Sequence, residues 1–151
     1  MIDALRSRGT EFAFAGLRVL LGLLFLTVWA SNLHKGLYKP DGYERLIRRY
    51  VIEGKAPGPW KDVMRMVADH ASLFARVQLV SEISLGLLLV AGALIRFAGL
   101  GAWLFLTSLW ISELGVPGEW AFSLVFPAVI AFLVAFLPES RTLSLDASLR
   151  R

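Results

Sequence analysis

Four largely apolar stretches dominate the chain, running from about Phe12 to Leu33, Val77 to Ile95, Phe97 to Leu114 and Trp120 to Leu137. Each is close to the roughly 17 to 25 residues that cross about 30 Å of hydrocarbon. A soluble domain of 151 residues can bury a core, but it does not string its apolar residues into blocks of that length. Inside lipid every backbone amide must be satisfied within its own segment or in a closed barrel. The blocks lack the period-two alternation of barrel strands, so helices are the reading. The expected fold is an all-α membrane protein, a single domain over 1–151 built as a four-transmembrane-helix bundle.

Arg6 and Arg8 precede the first apolar run as they would in a secretory signal. The run is too long for one, however, and no small-residue cleavage pattern follows it, so it is read as a membrane helix. Only Arg96 and its neighbours are available for a turn between the second and third blocks, which predicts a tight hairpin. Gly115-Val116-Pro117-Gly118-Glu119 separates the third block from the fourth. Glycines at 16, 22, 86, 92, 99 and 101 should let helix backbones approach closely, since lipid supplies no hydrophobic force between helices. Pro127 removes a backbone donor and is expected to kink the fourth helix near Ser123.

The segment 34–76 carries nine of the lysines and arginines. It is nevertheless patterned. Asp41 is placed to cap a helix with Tyr43, Leu46, Ile47, Tyr50 and Val51 on one face and Glu44, Arg45, Arg48 and Arg49 on the other. After Lys55-Ala56-Pro57-Gly58-Pro59, Trp60, Val63, Met64, Val67, Ala68 and Ala71 recur at helical spacing. An amphipathic helical loop is therefore expected between helices 1 and 2, capping the bundle and meeting lipid headgroups with its basic face.

An even number of spans puts both termini on one side, with Arg6, Arg8, Arg96, Arg141, Arg150 and Arg151. The turn at Gly115 carries Glu113 and Glu119 and no base, which favours cytoplasmic termini; the basic loop counts the other way. The basic charge is split between loop and termini, so headgroups rather than nucleic acid account for it.

Several stretches resemble the DoxX-like membrane proteins. Leu17-Arg18-Val19-Leu20-Leu21-Gly22-Leu23, running on to His34-Lys35-Gly36-Leu37, is similar to their first helix. Glu82-Ile83-Ser84-Leu85-Gly86 through Gly92-Ala93-Leu94-Ile95-Arg96 resembles their second, and Ser140-Arg141-Thr142-Leu143-Ser144-Leu145-Asp146 their C-terminal signature. The long loop, with Tyr50-Val51 ahead of Lys55-Ala56-Pro57 and with His70-Ala71-Ser72-Leu73-Phe74-Ala75, resembles the DoxD branch, named for a subunit of thiosulfate:quinone oxidoreductase. The resemblance implies a multi-pass protein of a bacterial or archaeal inner membrane, associated with other redox-complex subunits and with quinone.

Two ionisable residues lie within the apolar blocks, where a charge near the bilayer centre costs at least about 2.5 to 3.5 kcal/mol. At 1.5 Å per residue, Glu82 is expected about 7 to 8 Å below the start of its span, and Arg18 about as deep from the opposite surface. They should not be partners. Arg18 is expected to play a structural part, snorkelling to headgroups, as are Arg96 at a helix end and Pro127 in the fourth span.

Glu82 shares its level with Trp29, Asn32, His34, Trp110, Ser112 and Glu113. A carboxyl there is a candidate proton carrier, and Trp29, Asn32, His34, Trp110 and Glu113 are candidates for a quinone pocket, because reducing a quinone takes protons as well as electrons. The plainer alternative is that Glu82 bonds Asn32 or Arg76 and sets helix register. His34 and His70 have no paired ligand spacing, so no metal is expected. Five tryptophans near span ends fit an aromatic belt. With no cysteine, any thiol chemistry must reside on a partner, and with no flavin or iron–sulfur motif an electron path through the chain would have to use a bound quinone. Three functions follow: a quinone-interacting redox subunit, a non-catalytic accessory subunit of a respiratory or photosynthetic complex, or a small transporter, which would need a continuous polar path.

Overall fold

The computed structural model describes residues 2–137 and 144–148, with side chains at 9–137, 144, 145 and 148. The helices are α1 (Ile2–His34), α2 (Pro40–Glu53), α3 (Gly58–Asp69), α4 (Ala71–Ala91), α5 (Ile95–Glu113), a 3-10 turn (Ala121–Leu124), α6 (Val125–Phe136) and the short α7 (Leu145–Ser148). No strand occurs among the described residues. Three helical segments are long and apolar enough to cross a membrane: Gly9–His34, Ala71–Ala91 and Ile95–Glu113. Ala121–Phe136 is apolar but shorter. Less than a third of the first two windows is buried, and the outward faces carry Leu20, Leu24, Val28, Val80, Leu87, Phe97 and Leu104, a surface suited to lipid and not to water.

The bundle is two helix pairs, α1 with α4 and α5 with α6, joined through a shared core. That core draws Leu21 and Phe25 from α1, Leu89 from α4, Ile95, Ala98, Ala102 and Leu106 from α5, and Ala128, Ala131 and Val134 from α6. Small residues set the close approaches. A Cβ on Gly22 would meet the Val90 nitrogen at 2.8 Å and the Gly86 oxygen at 2.9 Å, and one on Gly99 would meet the Ala135 nitrogen at 2.8 Å. Gly16, grouped with these on sequence, has nothing within 4 Å of such an atom.

Several expected boundaries move. The turn between α4 and α5 is Gly92–Leu94, not Arg96. Gly92 adopts φ +69 and closes α4 with its own amide and that of Ala93 both on the Leu88 carbonyl, a left-handed stop that glycine makes without penalty. Arg96 falls in the first turn of α5, exposed. The helix α4 starts at Ala71, six residues before the expected span, because Ala71 and Ala75 pack under Tyr43. Pro127 does not kink a continuous helix; it occupies the first turn of α6, where its missing donor costs nothing, and a 3-10 turn precedes it.

Both amphipathic helices form, and they pack on each other and on the 71 end of α4. Tyr43, Tyr50, Met64 and Ala68 are buried, whereas Val63 is 43% exposed. The N-cap of α2 is Lys39 with Pro40 beginning the helix, so Asp41 does not cap it but lies in the first turn, on the favourable side of the helix dipole. Of the C-terminal signature, 140–143 and the side chain of Asp146 lie outside the described residues.

Candidate functional site: a buried carboxyl beneath the cap

One stripe of α1 (Ala15, Arg18, Gly22, Phe25, Trp29, Asn32) faces one stripe of α4 (Ala75, Gln78, Glu82, Gly86, Leu89), the i, i+3/i+4 spacing of a helix face. The two helices are antiparallel neighbours, so the two charged residues of this seam stand at opposite ends of it.

At one end Glu82 is 1% exposed and accepts hydrogen bonds at both carboxyl oxygens. Asn32 Nδ2 reaches Oε1 at 3.3 Å and Oε2 at 3.2 Å, Gln78 Nε2 donates to Oε1 at 2.8 Å, and the Tyr38 hydroxyl donates to Oε2. Three neutral donors from α1, α4 and the loop into α2 thus surround one carboxyl, an arrangement that satisfies its acceptor capacity. Because α4 starts at Ala71, Glu82 sits about halfway along its helix, deeper than the sequence estimate.

At the other end Arg18 is fully buried and its guanidinium donates to the carbonyl of Leu89 and, at 3.2 Å, to that of Val90. These are among the last carbonyls of α4, which have no intrahelical partner and carry the negative end of the dipole. Arg18 therefore does not snorkel outward; it serves as an internal cap. Gly92 lies against it, and a Cβ on Gly92 would meet both Arg18 Nη1, at 2.6 Å, and Ser144.

The residues grouped with Glu82 on sequence are dispersed. Only Asn32 among them bonds it. His34 is exposed at the end of α1. Glu113 lies near Tyr50, as does Glu119, whose side chain hydrogen-bonds Tyr50 in a latch holding the cap to the end of α5. The rest of that latch is Trp60 Nε1 on Ser112 Oγ at 2.9 Å, the Lys55 amide on the Leu114 carbonyl at 2.5 Å and Arg49 Nη2 on the Pro117 carbonyl at 2.6 Å. Burial, with Glu113 and Glu119 adding to it, pushes the Tyr50 hydroxyl well above the ordinary tyrosine range. Trp110 lines a separate apolar groove of about 290 Å³ between α5 and α6, with Trp103, Thr107, Val125, Ala128, Val129 and Phe132. The indole nitrogens of Trp29 and Trp110 are buried and have no hydrogen-bond partner among the described residues. Arg76, the alternative partner for Glu82, is exposed.

Sequence reasoning missed Tyr38 and Gln78. Gln78 was accessible to it, four residues before Glu82 on one helix. Tyr38 was not, since no periodicity marks the non-helical turn that aims it. Among the described residues no cluster of three His, Asp or Glu side chains able to hold a metal ion occurs.

An all-helical bundle with lipid-suited outer faces, a buried carboxyl in its main seam and an amphipathic cap defines a multi-pass membrane protein. The family model described as TQO small subunit DoxD matches residues 13–151, and the chain belongs to the DoxD family. Searches of curated proteins and of solved structures return no match.

Proposed function

We propose that the chain is the membrane subunit of a quinone-linked redox complex, with Glu82 as a proton carrier. The observation that carries this reading is a fully buried carboxyl, held by neutral donors, in a protein whose family is described as a small subunit of TQO. Reducing a quinone consumes two electrons and two protons. Without cysteine this chain relays no electrons through thiols, so a partner subunit supplies them, and the contribution left to it is to bind quinone and to move protons.

The Glu82 cradle is filled by its own donors. The α5/α6 groove has the aromatic, apolar lining and the volume, at the lower end of ligand-pocket sizes, that a flat lipophilic ring needs. The ring is therefore assigned to Trp103, Trp110 and Phe132, and the protons to the α1/α4 seam at Trp29, Asn32 and Glu82. His34 and Glu113 drop out of the site. The core layer of Leu21, Phe25 and Leu89 between Arg18 and Glu82 disfavours a transporter.

A four-span topology supports this role. Twelve α-helical residues at about 1.5 Å and four 3-10 residues at about 2.0 Å give Ala121–Phe136 a length of roughly 26 Å, near the hydrocarbon thickness. Both termini then lie on one side, assigned to the cytoplasm of the cell membrane, with the cap opposite.

The test is Glu82→Gln in the assembled complex. Assembly should persist while quinone-linked turnover is abolished. Unchanged turnover would leave the second reading, an accessory subunit, favoured by the complete hydrogen bonding of the cradle: a polar staple of that kind needs no chemistry.

A further inference from the structure

Two of the donors to Glu82, Asn32 and Gln78, stand on the long helices α1 and α4. Tyr38 comes from elsewhere. Gly36, at φ +70, reverses the chain after α1, and the turn is held by the Leu37 amide on the Asn32 carbonyl at 3.0 Å and the Lys39 amide on the Gly36 carbonyl at 3.1 Å. The reversal brings the Tyr38 hydroxyl back onto Oε2 of Glu82, and Tyr38 as a residue stays partly exposed. Tyr38 thus bonds the buried carboxyl from a residue that is itself only partly buried. On the other flank of Glu82 the seam continues into Gly86, Leu89, Leu21 and Phe25, which offer no side-chain hydroxyl, amide or acid.

We infer that Tyr38 is the hydroxyl relay through which Glu82 exchanges its proton with the aqueous phase on the cap side of the membrane. The inference rests on Glu82 being the proton carrier. In release, the Tyr38 hydroxyl first turns its hydrogen from Oε2 to water; the protonated carboxyl then gives its proton to the Tyr38 oxygen as that hydrogen passes to water, and the proton received from Glu82 remains on Tyr38 as the donor to Oε2. One proton moves outward and nothing is oxidised or reduced. Burial and the neighbouring Glu82 push the Tyr38 hydroxyl above the ordinary tyrosine range, so it keeps a proton and passes it by exchange without ionising.

Tyr43 does not serve in its place. Its hydroxyl is pushed up to about 12 by burial and by the charge of Glu82, but the residue is only 6% exposed, packed against Ala71 and Ala75, and has little contact with water.

The experiment follows the infrared carbonyl band of protonated Glu82, identified by its loss in Glu82→Gln, in the full chain reconstituted in lipid vesicles. On a rapid pH step, Tyr38→Phe should slow the change in this band about a hundredfold, the scale of one positioned proton-transfer group, while Tyr43→Phe leaves the rate unchanged. An unchanged rate in a folded Tyr38→Phe protein overturns the relay and leaves the carrier standing. Absence of the band in the wild type at every pH at which it stays folded overturns the carrier and the relay together. A second measurement needs no variant: in oriented sealed vesicles the band should follow a pH step on the cap side and lag behind a step on the other. The reverse order overturns the relay.

Discussion

The Tyr38 hydroxyl, carried on the turn that leads into the cap, donates to the Glu82 carboxyl in the middle of α4. One hydrogen bond thereby ties the cap to the main helix seam. Glu82→Ala would leave the donors of Asn32, Gln78 and Tyr38 without an acceptor, at about 1 to 3 kcal/mol for each that stays buried and unpaired. Thermal unfolding in detergent should show a marked loss for this variant and a small one for Glu82→Gln, which keeps the shape and one acceptor oxygen.

Gly22→Val should separate α1 from α4. The added Cβ would meet backbone atoms of Val90 and Gly86, which cannot yield as a flexible side chain would. Overpacking of this kind costs about 1 to 3 kcal/mol or more. Gly16→Ala, with open space around it, should stay within about 0.5 kcal/mol of wild type in the same unfolding measurement.

Replacing Trp60 by Phe removes its hydrogen bond to Ser112 and should loosen the cap by about 0.5 to 1.5 kcal/mol. The expected sign is faster proteolysis between α2 and α3 at the Gly54–Pro57 connection, with the unfolding of the helix bundle little altered.

Cap stability should fall at alkaline pH. Tyr43 ionises at about 12 when folded and near 10 when unfolded. A raised acid of this type contributes stability that is complete below the unfolded value and is lost as pH rises from about 10 to about 12. Tyr38 and Tyr50 are shifted in the same direction. Tyrosinate absorbance followed together with far-ultraviolet circular dichroism should show ionisation and cap loss in that window; ionisation complete near pH 10 with the helices intact would contradict it.

The absence of cysteine makes single-cysteine labelling direct. With impermeant reagents on intact cells, Ile52→Cys on the exposed side of α2 should react and Ser148→Cys near the C-terminus should not. Reaction at Ser148→Cys alone would invert the assigned orientation.

Membrane class, the apolar segments and the two amphipathic helices were legible in the sequence because each follows from a short-range quantity: the length of an apolar run, or the spacing of residues around one helix. The same one-dimensional arithmetic separated Arg18 from Glu82, since helix rise alone places them at opposite ends of the seam. Where the sequence misled, a choice between neighbouring residues was involved. Gly92 and not Arg96 turns the chain, because only glycine takes a left-handed cap freely. Helix α4 reaches back to Ala71 because Tyr43 lies over it, and packing of that kind leaves no periodic mark.

The surroundings of Glu82 depended on how the helices pack. Residues at one depth in a bundle can stand on different faces, and depth is all that span counting supplies; hence Asn32 meets Glu82, while Glu113 turns to Tyr50 and Trp110 to the groove beside α6. Which face a side chain takes depends on helix rotation, set by close contacts such as Gly22 on Gly86 and Gly99 on Ala135. Apolar patterning alone was enough to put a carboxyl within membrane helices. That Tyr38 would hold it came from the fold, because the two residues stand 44 positions apart and no helical or strand spacing relates them. They meet where the turn at Gly36 folds the chain back onto the middle of α4.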